Sequence, residues 1–393
     1  MRDNILSVKS LLRSRGSHED NKVVYVELFF DLVFVFAITQ LAHSLLHHFS
    51  LSGIAETAFL MLATWWVWIY TTWVTNWLDP QKTPVRMMLF SQMLAGMFLA
   101  IAIPNAFSDM GLIFALAYTF MQLSRCVFMC IVLYKRHEGN FRNFARITVW
   151  SVASAVFWLS GGLVEAESRY ALWGMALFID TIAPIVGFWT PKIGKSTTTD
   201  WDISGAHLAE RCGLLIIIAL GESLLVIGHT FSELPWSLVN VSGFLTAFVG
   251  SVAMWWIYFN IGAERAALRI ESSEDPGYLA RLAYTYLHII IIAGIILVAV
   301  SDEFILKHPM GHNGHTDGLT VAAILGGPAV FLLGNLLFKR AVFGKYAKSH
   351  ITGIVLCLLA APLYMALPPL YLAIFASVVM VVVGYWESRT VKH

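Results

Sequence analysis

Long apolar runs recur along the whole chain, and they constrain its fold more than any other feature of the sequence. Each run is about 20 residues long, the length that an α-helix needs to cross the hydrocarbon core of a bilayer. Backbone groups inside a bilayer must find their hydrogen bonds within the segment, so these runs predict helices. The sequence predicts an all-α, polytopic membrane protein with twelve spans, at 24–47, 53–77, 86–107, 111–134, 145–164, 170–189, 208–230, 237–261, 280–302, 318–338, 351–367 and 368–387.

The composition excludes the main soluble classes. Hydrophobic residues make up 58% of the chain and charged residues only 13%, whereas soluble proteins carry about 25% charged residues. This leaves too little polar surface for a soluble enzyme, a secreted disulfide scaffold or a disordered protein. The net charge of +1 gives no basis for a nucleic-acid partner.

The basic residues alternate with the predicted spans. All but three of the 26 Lys and Arg residues fall on the same side as the two termini. The exceptions are Arg169 and Lys307 on the opposite side, and Arg125 within a span. Because basic loops are retained in the cytoplasm, this distribution predicts that both termini are cytoplasmic.

The two halves of the chain resemble each other at an offset of about 190 residues. The pattern predicts two six-helix repeats of the same orientation with a site between them; chance similarity between aromatic-rich helices is the alternative. The matched residues are Glu27 with Glu210, Trp65-Trp66 with Trp255-Trp256, and Ser108-Asp109 with Ser301-Asp302. The predicted organisation is a basic cytoplasmic N-terminal tail at 1–22, a first repeat at 23–195 and a second repeat at 196–393.

Ionisable residues near the ends of three spans form a first group of candidates. Such residues cost several kcal/mol inside a bilayer, so each is a functional hypothesis. Glu27 and Asp31 lie one helical turn apart on one face. Together with the other members they would form a mutually paired polar layer, either as part of an ion path or as a structural ion-pair network. The other members are Arg125, His207, Glu210 and Arg211.

A second group of ionisable residues falls nearer the middle of the predicted spans. It comprises Asp180, Glu222 and His288, and Glu222 lies within the apolar run 214–228. Carboxylates spaced along the spans predict a proton or cation path. Gln40 either lines the same cavity or serves only as a hydrogen-bonding contact between helices.

The tenth span contains Gly326-Gly327-Pro328. This sequence predicts either an interrupted helix whose free carbonyl groups coordinate an ion, or an ordinary kink.

Three histidines, His308, His312 and His315, lie in the longest outer loop. Loop histidines are potential ligands of a divalent metal, although their spacing is not that of a known site. The sequence indicates no cofactor.

Two segments carry a family resemblance. Residues 25–43 read YVELFFDLVFVFAITQLAH, and residues 207–223 read HLAERCGLLIIIALGES. Both resemble signatures of the bacterial low temperature requirement A proteins, and the resemblance extends over about residues 20–390. It implies a multi-pass protein of the bacterial cytoplasmic membrane, named for a cold-growth phenotype, without an established biochemical activity.

The first of these segments is also similar to the first helix of a group of lysosomal and bacterial potassium channels. Those channels carry Phe-Ser-Asp at the corresponding position and are built from six-span repeats. This chain has Phe30 in place of the serine, and its seventh span lacks the Phe-x-Asp pattern. An ion-channel role is therefore an inference by analogy.

Three classes of function remain. The first is a transporter or channel for a small ion or solute, which the buried acids and the paired halves favour. The second is a membrane sensor or scaffold with purely structural charges, and the third is a membrane-embedded enzyme acting on lipid or peptide. No metal-ligand doublet, serine elbow or phosphate loop supports an enzyme. The expected partners are membrane lipids, the unidentified small ion or solute and a second copy of the chain in a homo-oligomer.

Overall fold

The structure is a computed structural model that describes residues 11–13, 22–135, 137–197, 203–260, 263–311 and 316–390. These residues form helices joined by turns and contain no β-strand, so the predicted all-α fold is confirmed. Most of the tail predicted at 1–22 lies outside the described residues, as do His312 and His315 of the predicted metal site.

Fourteen α-helices follow one another in the described part of the chain. They are α1 (Tyr25–His47), α2 (Leu51–Trp77), α3 (Thr83–Ala102), α4 (Gly111–Leu133), α5 (Glu138–Leu163), α6 (Ala166–Ile182), α7 (Gly205–Ser232), α8 (Leu238–Phe259), α9 (Ala263–Glu271), α10 (Pro276–Ala280), α11 (His288–Lys307), α12 (Gly318–Phe343), α13 (Lys348–Ala360) and α14 (Pro369–Thr390). A π-helical segment, Arg281–Leu287, joins α10 to α11.

Eleven helical segments in the described residues are long and apolar enough to cross a membrane. The segment that corresponds to the sixth predicted span, 170–189, is α6, which has 17 residues and is not among the eleven. The chain leaves the helix after Ile182 because Pro184 has no N–H to donate, and because Gly187 and Phe188 have positive φ angles of 65° and 52°. The count of twelve and the cytoplasmic termini stay predictions.

The chain divides into two compact units. The first unit comprises the described residues up to Gln40, together with Leu62–Leu208 and Glu274–Tyr278. Within this unit α4 packs against α3 and α5, and α5 packs against α6. Trp158 and Trp173 are fully buried, and Nε1 of Trp173 donates to the carbonyl oxygen of Trp158 at 3.0 Å.

The second unit comprises Leu41–Met61, Ala209–Ser273 and the chain from Leu279 onwards. In this unit α11 packs along α12, α12 packs against α13 and α14, and α14 packs against α8. The predicted repeats at 23–195 and 196–393 stay a prediction.

The matched Trp–Trp pairs have different surroundings. Trp65 and Trp66 are buried, whereas Trp255 and Trp256 are 44% and 46% exposed.

Glycines allow α11 and α12 to approach each other at backbone distance. A Cβ atom on Gly294 would lie 2.5 Å from the backbone nitrogen of Phe331, and one on Gly327 would lie 2.9 Å from that of Val298. Both distances are shorter than Cβ atoms tolerate, so neither position accepts a side chain without a shift of the helices. Small residues are the usual means by which membrane helices pack closely.

The sequence Gly326-Gly327-Pro328 does not interrupt its helix. α12 is continuous from Gly318 to Phe343, so the interrupted-helix alternative is wrong. Gly327 faces α11, and Pro328 removes a single N–H, the one that would bond to the carbonyl oxygen of Ile324. The rest of the helical hydrogen-bond ladder maintains the helix on either side.

α12 begins with a side-chain cap outside the membrane-spanning segment. Oδ1 of Asp317 accepts hydrogen bonds from the backbone N–H groups of Leu319 at 3.0 Å and Thr320 at 2.9 Å. Partial burial by itself would raise the pKa of the Asp317 carboxyl, but the hydrogen bonds from Thr320 and Leu319 outweigh it and hold this pKa below its ordinary value. The cap satisfies N–H groups that have no partner within the helix.

Candidate functional site

Glu27 lies in the first turn of α1, and its carboxylate is fully buried. Its Oε2 accepts hydrogen bonds from Nη2 of Arg13 at 2.8 Å and from the backbone N–H of Val24 at 3.1 Å. Its Oε1 lies 2.9 Å from Nε2 of His207, in the first turn of α7. The two segments that carry the family resemblance therefore meet at this carboxylate.

Asn76, near the end of α2, determines which nitrogen of His207 carries the proton. Its Nδ2 donates to the carbonyl oxygen of Ser204 at 2.8 Å, and its Oδ1 accepts from the N–H of Ser204 at 3.0 Å, which fixes the amide orientation. The same Nδ2 lies 3.2 Å from Nδ1 of His207, which must therefore accept. With Nε2 of His207 protonated, its N–H donates to Oε1 of Glu27, while Nη2 of Arg13, 3.2 Å from the same nitrogen, donates to Oε2.

Arg13 supplies the positive charge of this cluster from the segment predicted as a tail. Its backbone N–H donates to the carbonyl oxygen of Trp77 at 2.8 Å, and its Nε donates to that of Thr75 at 2.8 Å. Only 8% of its side chain is exposed. Sequence reasoning missed Arg13 because it was one of several basic residues before the first span. It also missed Asn76, whose only signal was a polar residue near the end of an apolar run.

Asp31 lies one turn beyond Glu27 and is also buried. Its Oδ1 accepts a hydrogen bond from Nε1 of Trp68, in α2, at 2.7 Å. The indole adds a neutral donor that stabilises the carboxylate in the apolar interior.

Arg125 is a buried guanidinium in the second half of α4. Its Nη1 donates to Oγ1 of Thr71 at 2.9 Å and to the carbonyl oxygen of Val67 at 3.2 Å, and its Nη2 donates to Oε1 of Gln122. The guanidinium carbon lies 5.4 Å from the centre of the Tyr70 ring. The predicted pairing of Arg125 with carboxylates is not found in the described residues, where all its hydrogen bonds go to neutral groups.

Asp180, near the end of α6, is the acid connected to this guanidinium. Its Oδ2 accepts from the hydroxyl of Tyr118 at 2.7 Å and from Nε1 of Trp158 at 3.0 Å. Nε2 of Gln122 donates to the Tyr118 oxygen at 3.3 Å, and Gln122 in turn accepts from Arg125. A series of hydrogen bonds therefore connects the buried, oppositely charged Arg125 and Asp180 through the Gln122 amide and the Tyr118 phenol.

No described hydrogen bond joins the remaining candidates to Glu27 or to Asp180. In α7, Glu210 is exposed, Arg211 is buried and Glu222 is half-buried; in α1, Gln40 is half-buried. His288 is buried at the end of the π-helical segment. Its Nδ1 lies 2.9 Å from the carbonyl oxygen of Ala283, and its Nε2 lies 2.9 Å from the hydroxyl of Tyr258.

The predicted metal site has no support in the described residues. No group of three or more His, Cys, Asp or Glu side chains there is arranged to hold a metal ion, and His308 is exposed.

A buried charged cluster that the sequence did not reveal joins α12, α13 and α14. Nζ of Lys339 donates to Oε2 of Glu387 at 2.5 Å, and the hydroxyl of Ser349 donates to Oε1 at 2.8 Å. His350 lies 3.2 Å from the same Oε1. Sequence reasoning missed this cluster because its members fall at the ends of spans, where charged residues are ordinary.

Removing the Tyr118 hydroxyl tests the series of hydrogen bonds that connects Arg125 to Asp180. Tyr118→Phe is expected to lower the free energy of unfolding by about 1–3 kcal/mol, because Asp180 loses a donor and Gln122 loses an acceptor in a buried site. The measurement is reversible unfolding in mixed micelles. Tyr371→Phe, at a 52% exposed tyrosine of α14, is the control and should leave stability unchanged. Equal stability of the two variants would contradict a buried hydrogen bond.

The fold and these contacts define a polytopic helical membrane protein with buried ionisable clusters. A family model described as bacterial low temperature requirement A protein (LtrA) matches residues 22–385. An uncharacterized protein of Rhizobium meliloti (strain 1021) is 42% identical over 381 residues, which cover 95% of this chain and 91% of the relative. No solved structure matches the chain. The chain belongs to the bacterial low temperature requirement A family.

Proposed function

We propose that this protein moves a small ion or solute across the bacterial cytoplasmic membrane, and that Asp180 binds the proton or cation in passage. The supporting observation is the separation of Asp180 from Arg125 by Gln122 and Tyr118. A buried charge that lacks a direct counter-ion is costly, so a function is the reason to keep one.

Asp180 suits this role better than Glu27. Glu27 is already neutralised by Arg13 at 2.8 Å and hydrogen-bonded to His207 at 2.9 Å, so a mobile cation would have to displace a basic side chain. The donors to Asp180 are the neutral side chains of Tyr118, Trp158 and Ser154. A proton or cation would bind there without breaking an ion pair. The Glu27 cluster then holds helix ends together, in the manner of a structural ion-pair network.

Asp31 is a second acid on the proposed path. It is buried in α1, where the Trp68 indole is one of its donors. Glu222 and His288 are further candidates by their place in the spans.

Flux measurements on reconstituted protein test this function. Purified full-length protein in sealed liposomes should carry protons or potassium under an imposed potential, and Asp180→Asn should reduce the flux at least about tenfold, since a site charge is lost. The asparagine oxygen still accepts from Tyr118 and Trp158, so the fold should survive. Asp109→Asn, at an exposed aspartate, is the matched control and should keep wild-type flux.

Two outcomes would contradict the proposal. Wild-type flux in a stable Asp180→Asn protein would remove Asp180 from the path. Absence of flux from well-folded wild-type protein would favour the sensor or scaffold alternative, and turnover of lipid or peptide would favour the enzyme. The same liposomes report any homo-oligomer by crosslinking and any dependence on anionic lipid.

A further inference from the structure

A small cavity in the second unit lies against a carboxylate that the proposed function does not use. Asp302, near the end of α11, is 6% exposed, and its Oδ2 has no hydrogen-bond partner among the described residues. The cavity has a volume of about 20 Å³, which is enough for one occupant the size of a water molecule. A buried carboxylate oxygen without a partner costs several kcal/mol, so a partner that enters this cavity would be held strongly.

The polar groups around the cavity are acceptors rather than donors. The hydroxyl of Ser301 donates to the carbonyl oxygen of Val298 at 2.8 Å, and that of Ser377 donates to the carbonyl oxygen of Thr246 at 3.1 Å. Both hydroxyl protons are therefore committed elsewhere, and only oxygen lone pairs remain for Asp302 and the cavity.

Pro328 leaves a carbonyl group of α12 without its usual helical donor beside the same cavity. Both Pro328 and Ile324 line it, and Pro328 has no N–H to donate to the carbonyl oxygen of Ile324, four residues earlier in α12. Close approach of α8 is possible because residue 250 is a glycine, at which a Cβ atom would lie 3.3 Å from Oγ of Ser377.

We propose that this cavity, formed by Asp302, Ser301, Ser377 and the Ile324 carbonyl, binds a dehydrated monovalent metal cation. Water would find acceptors for its two hydrogens but no donor for its own oxygen, whereas a cation attracts every oxygen in the cavity. One carboxylate balances a single positive charge. Divalent cations require more carboxylates and more oxygen ligands, and the described residues contain no group of three or more His, Cys, Asp or Glu side chains arranged to hold a metal ion.

Thermal unfolding of the full-length protein tests the site without measuring flux. Na⁺ or K⁺ should raise the melting temperature by about 5 °C relative to choline, which is too large for the cavity, because a ligand that binds only the folded state stabilises it. Asp302→Asn should abolish this response. It should also melt higher than the wild type in choline, because the asparagine amide would donate to the oxygens around it.

Asp109→Asn is the matched control, since Asp109 follows Ser108 as Asp302 follows Ser301 but is exposed. It should respond to Na⁺ and K⁺ as the wild type does. Ser377→Ala keeps the carboxylate and should weaken the apparent affinity for the cation about tenfold, which corresponds to one lost ligand. Binding of radioactive sodium or rubidium should reach one ion per chain and be lost in Asp302→Asn.

Three results would overturn the proposal. One is that the wild type melts at the same temperature in Na⁺, K⁺ and choline. If that temperature depends on pH, the occupant of the cavity is a proton; if it does not, the occupant is water. Another is a cation response that persists in a folded Asp302→Asn protein. The third is a response of Ser377→Ala identical to that of the wild type. None of these results bears on flux through Asp180, so the two proposals can fail separately.

Discussion

Glu27→Gln is expected to lower the free energy of unfolding by about 3 kcal/mol. The glutamine oxygen would still accept from His207, but its amide group would face Nη2 of Arg13, which now lies 2.8 Å from a carboxylate oxygen. Breaking a buried ion pair by removing one partner leaves the other charge uncompensated, at a cost of about 3–5 kcal/mol. The lower figure applies here because Arg13 is 8% exposed and reaches water more easily than a fully buried group. Reversible unfolding in mixed micelles measures the loss.

The chain offers an exposed pair of similar chemistry as the control. Glu138 and Arg142 form an ion pair at the start of α5, with side chains 79% and 60% exposed. Glu138→Gln should change stability by less than about 0.5 kcal/mol, since exposed pairs contribute little. Arg13→Gln should lose less stability when Glu27 is already glutamine than when it is not, because contacting residues are not additive. Equal losses in the two backgrounds would show that the two residues are not energetically coupled.

Gly327→Ala is expected to lower the free energy of unfolding by about 3 kcal/mol. The added Cβ atom would lie 2.9 Å from the backbone nitrogen of Val298. A backbone atom in α11 cannot rotate away as a side chain would, so the two helices must separate along their whole contact. Overpacking of a close interface costs about 1–3 kcal/mol, and a rigid neighbour places this site at the upper end. The same unfolding measurement applies.

The adjacent glycine supplies the control for this variant. A Cβ atom on Gly326 would meet nothing within 4 Å. Gly326→Ala should therefore be neutral or stabilise α12 by up to about 1 kcal/mol, the difference in helix propensity between the two residues. If both alanine variants lost the same stability, the cost would belong to the Gly-Gly-Pro sequence itself and not to contact with α11.

Hydropathy predicted most of the helices because an apolar segment that crosses a bilayer must satisfy its own backbone hydrogen bonds, as a helix of about 20 residues does. Eleven of the twelve predicted spans correspond to helical segments long enough to cross it. The sixth differs because Pro184, Gly187 and Phe188 end α6 early through backbone geometry, to which an average of hydropathy is insensitive. The Gly-Gly-Pro sequence was ambiguous for a similar reason. Glycine suits both a broken helix and a close helix contact, and only the position of α11 distinguishes them.

The candidate site was less predictable because its contacts join distant parts of the sequence. Glu27 and His207 were identified as costly charges, yet their distance of 2.9 Å spans 180 residues of chain. Arg13 and Asn76 carried no distinguishing signal, because basic residues before a span and amides at its end are common. Arg125 was expected to pair with a carboxylate on grounds of charge alone. Its neutral partners depend on the rotation of α4, which periodicity does not fix.

If Asp180 binds the ion in passage, its carboxyl must exchange a proton or a cation. Infrared difference spectra of the reconstituted protein, recorded with the wild type and Asp180→Asn between about pH 5 and about pH 9, detect a protonated carboxyl through its carbonyl stretch. We expect one band of the wild type either to titrate with pH or to shift when Na⁺ or K⁺ replaces choline, and to be missing from Asp180→Asn. A band that stays constant under all of these conditions would show that Asp180 exchanges neither protons nor cations, and would contradict its proposed role in ion movement.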